Sequence, residues 1–390
     1  MSKRQRRVAA MIDLDWPLKH HLEVFVGVQA YARQRDWELI VDPFADQALG
    51  RKGRPCPYEG IIARATTELA KRARAANVPV VNVWYSSPMW RLPSVYPDFA
   101  EAGRLAADHL LQRGLRRFGF LGYRVNREST VEGNAFRRTV TEAGFPCTFL
   151  NIKRGYQKNA QEWRRFQNEL DRWIGTWTPK IGVLTSFDLL CRFLAHACGR
   201  HGLKVPDDVA LIGSRNEPAI CLHPTPSLSS VDMNYHEIGW RAGQLLEKLM
   251  RGGPAPKQAL LVPPRALLAR QSTDVVAVSD PLVEAALRYI VDHNHEPIDV
   301  SDVVEQLATT RRTLERHFQH NLGRSIAREI ARLRLERLKR DLIETDTPVK
   351  ALAASAGYRN PKQMHYAFAR AVGEAPGSYR RRYRHKNASE

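Results

Sequence analysis

Cysteine is scarce in this sequence, and its spacing favours neither cross-links nor metal binding. The 390 residues include five cysteines, which are Cys56, Cys147, Cys191, Cys198 and Cys221. The number is odd, the spacings are long and no C-x-x-C pair occurs, which argues against a disulfide framework and a zinc site. We therefore expect reduced and mostly buried thiols, with no metal site and no cofactor.

Long apolar runs are also missing. No stretch of 18 apolar residues occurs, so no transmembrane helix is predicted. The chain begins with a basic segment like that of a signal peptide, but the apolar stretch Val8–Ile12 stops at Asp13 and no small-residue cleavage site follows. The pattern predicts a basic tail that enters a first strand, in a cytoplasmic protein without membrane contact.

The motifs of common enzyme classes are absent as well. The sequence has no G-x-S-x-G, no H-E-x-x-H, no Walker loop and no G-x-G-x-x-G. It also has no paired set of Cys and His ligands. We therefore expect a binding protein rather than an enzyme.

Positive charge is abundant and unevenly distributed. Lys and Arg number 60 against 41 Asp and Glu, a net charge of +19. Residues 280–309 carry a net charge of −6, whereas residues 310–390 carry +11. A basic segment of this kind favours a polyanionic partner such as nucleic acid, without by itself defining a binding site.

Residues 1–270 alternate short apolar runs with segments of helical periodicity, such as 99–114 and 235–253. Eight runs are predicted strands, at 7–13, 38–43, 60–65, 78–84, 117–123, 181–186, 209–214 and 227–233. Strands that alternate with helices predict a mostly parallel, doubly wound α/β sheet in two halves. Ligands bind such sheets in the loops after the strands. Residues 271–280 are predicted to be a hinge.

The pattern of residues 281–390 is wholly helical and contains a repeat. Helices are predicted at 281–294, 300–308, 311–322, 325–344, 348–357 and 360–372. Ser301 and Asn360 are the expected caps of the second and the last of these helices. The segment TLERHFQHNLG at 313–323 resembles QMHYAFARAVG at 363–373.

An offset of 50 residues aligns the two copies as Val303/Ala353, Leu314/Met364, Phe318/Phe368, Leu322/Val372 and Gly323/Gly373. Each copy predicts a short helix, a tight turn and a second helix with one buried stripe. This is a helix-turn-helix, with units at about 299–322 and 348–372. A connecting helix at 325–344 would span about 30 Å, close to the repeat of about 34 Å of B-DNA. The two units are therefore expected to enter successive major grooves.

The matching segments VVEQLATTRRTLERHFQHNLGRS and VKALAASAGYRNPKQMHYAFARAVGEAPGSYR make residues 281–384 resemble the DNA-binding domain of the AraC/XylS family of transcription activators. The resemblance implies a double-stranded DNA operator and RNA polymerase as partners. It implies DNA contacts from Arg311, Arg312, Glu315 and Arg316 in the first unit, and from Asn360, Lys362, His365 and Tyr366 in the second. Pro361 stands where many members carry a polar base-contacting residue, so the first unit is expected to carry more of the base discrimination.

The segment SFDLLCRFLAHACGRHGLKVPDDVALIGSRNEP makes residues 1–270 resemble the ligand domain of the LacI/GalR family, a two-lobed fold related to periplasmic sugar-binding proteins. Asp188 stands 18 residues before Pro206, as the family's acidic ligand residue does. Arg215 and Asn216 stand where the family usually has an acidic residue. Glu132 stands where the family usually has an Arg. The resemblance implies effector contacts from these four positions. Trp16 and His20 are expected at the mouth of the cleft, after the first strand.

The two resemblances together imply a sugar-responsive activator with a xylose-like effector, acting as a homodimer in which the effector closes the two lobes of the front domain. The exchanged charges at Glu132 and Arg215 leave three readings open, namely polyol binding, a different or charged ligand, and an internal ion pair. A ligand-independent DNA-binding module is the alternative function. The basic run Arg380–Arg384 with Lys386 is expected to be a solvated tail or a phosphate contact.

Overall fold

The computed structural model describes residues 5–15, 19–49, 56–274 and 280–383. Its strands, in chain order, are β1 Arg6–Met11, β2 Trp37–Val41, β3 Gly60–Ala63, β4 Val80–Asn82, β5 Val95–Pro97, β6 Arg117–Tyr123, β7 Cys147–Ile152, β8 Ile181–Thr185, β9 Val209–Ser214, β10 Ser229–Asp232, β11 Leu260–Val262 and β12 Ala266–Leu268. Each of the eight predicted strands overlaps one of these.

Helices alternate with the strands and then occupy the whole tail. In the front region they are α1 Lys19–Gln34, α2 Ala45–Ala48, α3 Thr67–Ala75, α4 Phe99–Gln112, α5 Arg127–Glu142, α6 Ala160–Ile174, α7 Asp188–Arg200, α8 Pro218–Cys221 and α9 Tyr235–Met250. In the tail they are α10 Pro281–Asp292, α11 Val300–Gln306, α12 Arg311–Leu322, α13 Ile326–Glu344, α14 Leu352–Ser355, α15 Pro361–Val372 and α16 Pro376–Tyr383.

The chain divides into two compact units, of which unit one comprises residues 1–103, 123–135 and 232–266. Its main sheet has four parallel strands in the order β2-β1-β3-β4. Helices α1 and α9 cross at two glycines, because a Cβ on Gly27 would overlap the carbonyl oxygen of His236 and one on Gly239 would overlap that of Val24. The two backbones approach closely because neither position carries a side chain.

Unit two comprises residues 104–122, 136–231 and 267–390. Its sheet has six strands in the order β12-β10-β9-β8-β6-β7, and the pairs that join β10, β9, β8 and β6 are parallel. Strands β8 and β9 are buried along their whole length, as expected of central strands covered on both faces. Residues 271–273 of the predicted hinge form a 3-10 turn in which Ser272 and Thr273 are fully buried, and residues 275–279 lie outside the described part of the chain.

The tail has two small cores that share the connecting helix α13. The first core contains Leu314, Phe318 and the first half of α13 up to Leu333. The second contains Met364, Phe368 and the last part of α13 from Leu338. Equivalent positions of the two helix-turn-helix units are therefore buried, which confirms the predicted repeat.

The helix boundaries follow local capping chemistry. The side chain of Asn360 accepts a hydrogen bond from Gln363 N, as predicted for an N-cap. The predicted cap Ser301 is wrong, because Asp299 caps α11 and forms a capping box with Asp302. Asp299 lies one position before the predicted start, and its carboxylate accepts a hydrogen bond from Ser301 N.

Candidate DNA-binding surface and effector loops

The first candidate reading helix, α12, separates its anchors from its charged side chains. Thr310 caps the helix by accepting a hydrogen bond from Thr313 N, and Gly323 ends it with a φ of 65°. Leu314 and Phe318 are fully buried, one turn apart on the inner face. The three arginines predicted to contact DNA are exposed, at Arg311, Arg312 and Arg316. Arg312 and Arg316 lie on the side of the helix opposite to the anchors.

Glu315 has a different environment from its three basic neighbours. It is half-buried, and its Oε2 accepts a hydrogen bond from Ile326 N at 3.3 Å. This contact ties α12 to the first turn of α13, where a negative charge also interacts favourably with the helix dipole. The structure thus gives Glu315 a role inside the domain, and its predicted DNA contact stays a prediction.

The second candidate reading helix, α15, has the same layout with different chemistry. Met364 and Phe368 are fully buried. The predicted contact residues Asn360, Lys362, His365 and Tyr366 are exposed. Tyr366 is 71% exposed, which is unusual for a large aromatic side chain and consistent with a surface that meets a partner. This face has one Lys and no Arg among these four residues.

The turn before α15 depends on Gly357. Its φ is 70°, and a Cβ there would lie 2.6 Å from the carbonyl oxygen of Glu296. The neighbouring Arg359 donates from Nη2 to Asp299 Oδ2 at 3.3 Å, which links the turn of the second unit to the cap of the first. Sequence reasoning missed Arg359, although its place beside the predicted cap Asn360 was an available signal.

Several arginines of the basic connector hold the domain together. Arg334 donates to the carbonyl oxygen of Ile298 at 2.5 Å, and Arg337 donates to Asn294 Oδ1 at 2.6 Å. Arg332 pairs with both Glu329 and Glu336. The positive charge of α13 is therefore partly committed to internal contacts.

The effector residues predicted in unit two lie at the carboxyl ends of β8 and β9. Asp188 begins α7 directly after β8, and Arg215 and Asn216 follow β9. Because β8 and β9 are adjacent and parallel, their following loops meet at one edge of the sheet. The structure therefore brings these three predicted residues together.

Asp188 is 2% exposed and held from two sides. Its Oδ1 accepts from Ser230 Oγ at 2.5 Å, and its Oδ2 accepts from Glu217 N at 2.8 Å. Burial raises the pKa of Asp188 to about 6, against the opposing effect of these two hydrogen bonds. A carboxylate oxygen has more than one lone pair, so each oxygen retains capacity for a further donor.

Arg215 and Asn216 have left-handed backbone conformations, with φ values of 108° and 52°. Such a value is costly for Arg215, whereas Asn tolerates the left-handed region better, and both persist where the surroundings determine them. The Cζ of Arg215 lies 4.4 Å from the ring centre of Phe187, and its Nη1 donates to Ser214 Oγ at 2.7 Å. Asn216 N donates to Ser230 Oγ at 2.9 Å, which places Asp188 and Asn216 on the same hydroxyl.

The remaining effector candidates belong to unit one or are not described. His20 packs against His21, with ring centres 4.5 Å apart, and against Tyr235 at 5.3 Å. Burial lowers the pKa of His21, which lies 2.7 Å from the carbonyl oxygen of Asp13. Glu132 is fully buried in α5. Its pairing with Arg215 stays a prediction.

Trp16 lies outside the described residues. Within residues 5–15, 19–49, 56–274 and 280–383, no helix is long and apolar enough to span a membrane. The same part of the chain has no cluster of three His, Cys, Asp or Glu side chains that could hold a metal ion.

Two family models match the chain in separate regions. A periplasmic binding protein-like domain matches residues 107–273. A helix-turn-helix domain matches residues 303–382. The first region contains the loops after β8 and β9, and the second contains both reading helices.

Similarity to characterised proteins extends over almost the whole chain. The xylose operon regulatory protein of Haemophilus influenzae is 26% identical over 97% of this chain and 99% of its own length. The protein of the same name from Escherichia coli is 26% identical over 97% of this chain and 98% of its own. The solved structure of XylR, a xylose-binding transcription activator, covers 99% of this chain and 100% of that one, with 25% identity and a TM-score of 0.61.

Proposed function

We propose a sugar-responsive function for this chain, which belongs to the transcription regulators that join a periplasmic-binding-protein-like domain to a helix-turn-helix domain of the AraC type. The observation that carries the proposal is the pair of equivalent reading helices, α12 and α15, each anchored by two buried side chains and exposed on the opposite face. Similarity to regulators of a xylose operon across 97% of the chain supports the sugar response, and similarity to the solved xylose-binding activator supports activation. The role is regulatory rather than catalytic.

In this proposal α12 reads bases and α15 mainly positions the protein. Arginine can donate two parallel hydrogen bonds to guanine, whereas a lysine holds a phosphate as a point charge. Arg312 and Arg316 lie one turn apart on the exposed face of α12. Lys362, His365 and Tyr366 offer fewer bidentate contacts on α15.

The test of the reading helix is an Arg312→Ala substitution. DNA selected by the wild-type protein from a random-sequence pool serves as the operator, and fluorescence anisotropy measures affinity for it and for single-base variants. We expect a loss of about 1–3 kcal/mol with relaxed preference at one base position. Arg138→Ala, at an exposed position of α5, removes the same charge as a control. A loss that is equal for all DNA sequences would assign Arg312 to phosphate contact instead.

The proposed effector binds the loops after β8 and β9, with Asp188, Arg215 and Asn216 among its contacts. A sugar fits these groups because each hydroxyl can both donate and accept. Arg215 also favours a second candidate, an acidic sugar derivative whose carboxylate would pair with the guanidinium. A thermal-shift screen of D-xylose, other pentoses, hexoses, polyols and sugar acids separates the two, since a ligand that binds only the folded state raises Tm.

The protein is proposed to assemble with a second copy, with DNA and with RNA polymerase. We infer a homodimer that binds a double-stranded operator in the cytoplasm and contacts RNA polymerase, in which 1–270 form the effector domain and 281–390 the DNA-binding domain. Sedimentation of the protein with and without operator would test the dimer. A monomer on DNA at concentrations that saturate the operator would refute it.

A further inference from the structure

One buried arginine, Arg270, connects the loop after β9 with the last turn of α13. Its side chain is 2% exposed. Its Nε donates to Glu344 Oε1 at 2.6 Å, its Nη1 to the carbonyl oxygen of Leu228 at 2.7 Å and its Nη2 to Asn216 Oδ1 at 2.7 Å. Because the guanidinium is planar with fixed donor directions, three acceptors on three segments define its position.

Asn216 continues this connection to the predicted effector residues. Asn216 N donates to Ser230 Oγ at 2.9 Å, and Ser230 Oγ donates to Asp188 Oδ1 at 2.5 Å. An unbroken series of hydrogen bonds therefore runs from Asp188 through Asn216 and Arg270 to Glu344. We call these residues, with Ser230, the Arg270 relay.

Glu344 is poorly placed unless Arg270 remains next to it. It is the last residue of α13, where the partial negative charge of the helix end repels a carboxylate. Its side chain is 17% exposed, so solvent compensates its charge only in part. Removing one partner of such a pair leaves an uncompensated charge, so loss of the Arg270 contact would destabilise this end of α13.

The backbone at the other end of the relay is also in a sparsely populated conformation. Arg215 and Asn216 have φ values of 108° and 52° and are held by the surrounding contacts. A ligand that binds beside them changes those contacts, and the Asn216 side chain is the one that meets Arg270. The α13 helix in turn contributes to the cores of both helix-turn-helix units.

We propose that Arg270 is the positioning residue through which effector binding at the loop after β9 changes the DNA-binding domain, by altering the Arg270–Glu344 contact at the end of α13. The inference rests on the proposed function, because it takes the loops after β8 and β9 to be the effector site. It names the residues that carry the regulation.

A second ion pair on the same helix provides a matched comparison. Arg113 is 2% exposed at its side chain and pairs with Glu336 at 2.7 Å. Its Nε donates to the carbonyl oxygen of Thr273 at 2.6 Å. Within the described residues, the side chain of Arg113 bonds to Thr273, His109 and Glu336, and not to the effector residues Asp188, Arg215 and Asn216. This pair therefore holds α13 on the same lobe without touching the effector loop.

The relay is tested first without DNA or sugar, by hydrogen exchange of the full-length protein. Asn216→Ala removes the acceptor of Arg270 Nη2, so amides at the end of α13 should exchange about five-fold faster or more. In a Glu344→Gln background the same substitution should change this exchange less than about two-fold. In a Glu336→Gln background, Asn216→Ala should accelerate the exchange as much as it does in the wild type. Circular dichroism and Tm of each variant confirm that the chain is folded.

An unchanged exchange rate in Asn216→Ala would overturn the relay. An equal acceleration in the Glu344→Gln background would also overturn it, because the effect would then not pass through the ion pair. If Asn216→Ala does not fold, Asn216→Asp provides the second variant. A carboxylate there strengthens the contact with Arg270, and the last turn of α13 should exchange at an altered rate only while Glu344 is present.

The second readout is affinity for the selected operator with and without D-xylose. Saturating D-xylose should change operator affinity of the wild type by about five-fold or more and that of Glu344→Gln by less than about two-fold, with Glu336→Gln like the wild type. If D-xylose changes neither the Tm of the wild type nor its affinity for the operator, the proposed xylose response is refuted. The exchange measurements still decide the relay in that case, so the two failures are distinguishable.

Discussion

Replacing Asp188 by Asn should remove a pH dependence of stability that is expected of the wild-type chain between about pH 4 and pH 6. Burial raises the pKa of Asp188 from its usual 3.8 to about 6, in spite of hydrogen bonds from Ser230 and the backbone of Glu217. The folded chain therefore holds this proton more tightly than the unfolded chain does. The bound proton stabilises the folded state fully below pH 3.8, and this contribution is lost as the pH rises to about 6.

The magnitude follows from the size of the pKa change. A difference of about two pH units corresponds to about 3 kcal/mol of stability. Asn at 188 is neutral at every pH and keeps one oxygen acceptor for its neighbours. The free energy of unfolding of the variant, relative to that of the wild type, should thus rise by about 3 kcal/mol from pH 3.8 to pH 7.

Thermal unfolding of both proteins at a series of pH values measures this gain. Asp207→Asn, at an exposed position, is the matched control and should follow the wild type. A Tm difference between Asp188→Asn and the wild type that stays constant from pH 4 to pH 7 would refute the reasoning. It would mean that Asp188 has nearly the same proton affinity in the folded and unfolded chain.

Three further outcomes are expected. Phe318→Ala should destabilise the first helix-turn-helix core by about 3–5 kcal/mol, as judged by exchange of its amides, with the second core affected less. Gly239→Ala should separate α1 from α9 and lower Tm, whereas Gly199→Ala, whose Cβ would meet nothing within 4 Å, should not. Lys362→Ala should weaken binding equally for all DNA sequences and reduce the salt dependence of affinity by about one counterion, which base-specific loss would contradict.

Periodicity explains why most of the fold was predictable. Central strands such as β8 and β9 are continuous apolar runs bounded by polar turns, and this pattern is visible in the residues themselves. The repeat was visible for a similar reason, because Leu314 and Phe318 recur in kind at Met364 and Phe368. The apolar pattern of a short segment thus predicts a strand or helix when that element is buried along one face or throughout.

Four strands were missed, namely β5, β7, β11 and β12, and two of them depend on long-range pairing. Strands β5 and β11 have three residues each and pair with one another, in a register that joins Val95 to Leu260. Three residues are too few to show an alternation. Nothing in either segment indicates the other, so this small sheet could not be found from the sequence alone.

The roles of charged residues were the least predictable part of the site. The connector helix is basic, yet Arg334 and Arg337 bind groups within their own domain. Glu315, whose DNA contact stays a prediction, accepts a hydrogen bond from Ile326 N that the sequence did not indicate. The sequence did not indicate a role for Arg270, because its hydrogen-bond acceptors lie 42, 54 and 74 residues away along the chain. Charge indicates a partner, and only the fold identifies it.

The shared use of α13 by two cores restricts how this type of domain can change length. One inserted residue between Leu333 and Leu338 would turn the second half of the helix by about 100° and advance it by 1.5 Å. The second reading helix would then point in a different direction relative to the first. Viable insertions or deletions in this helix would have to restore its phase, as about seven or eleven residues do. The connector therefore sets the spacing and the relative rotation of the two reading helices, whatever residues these helices expose.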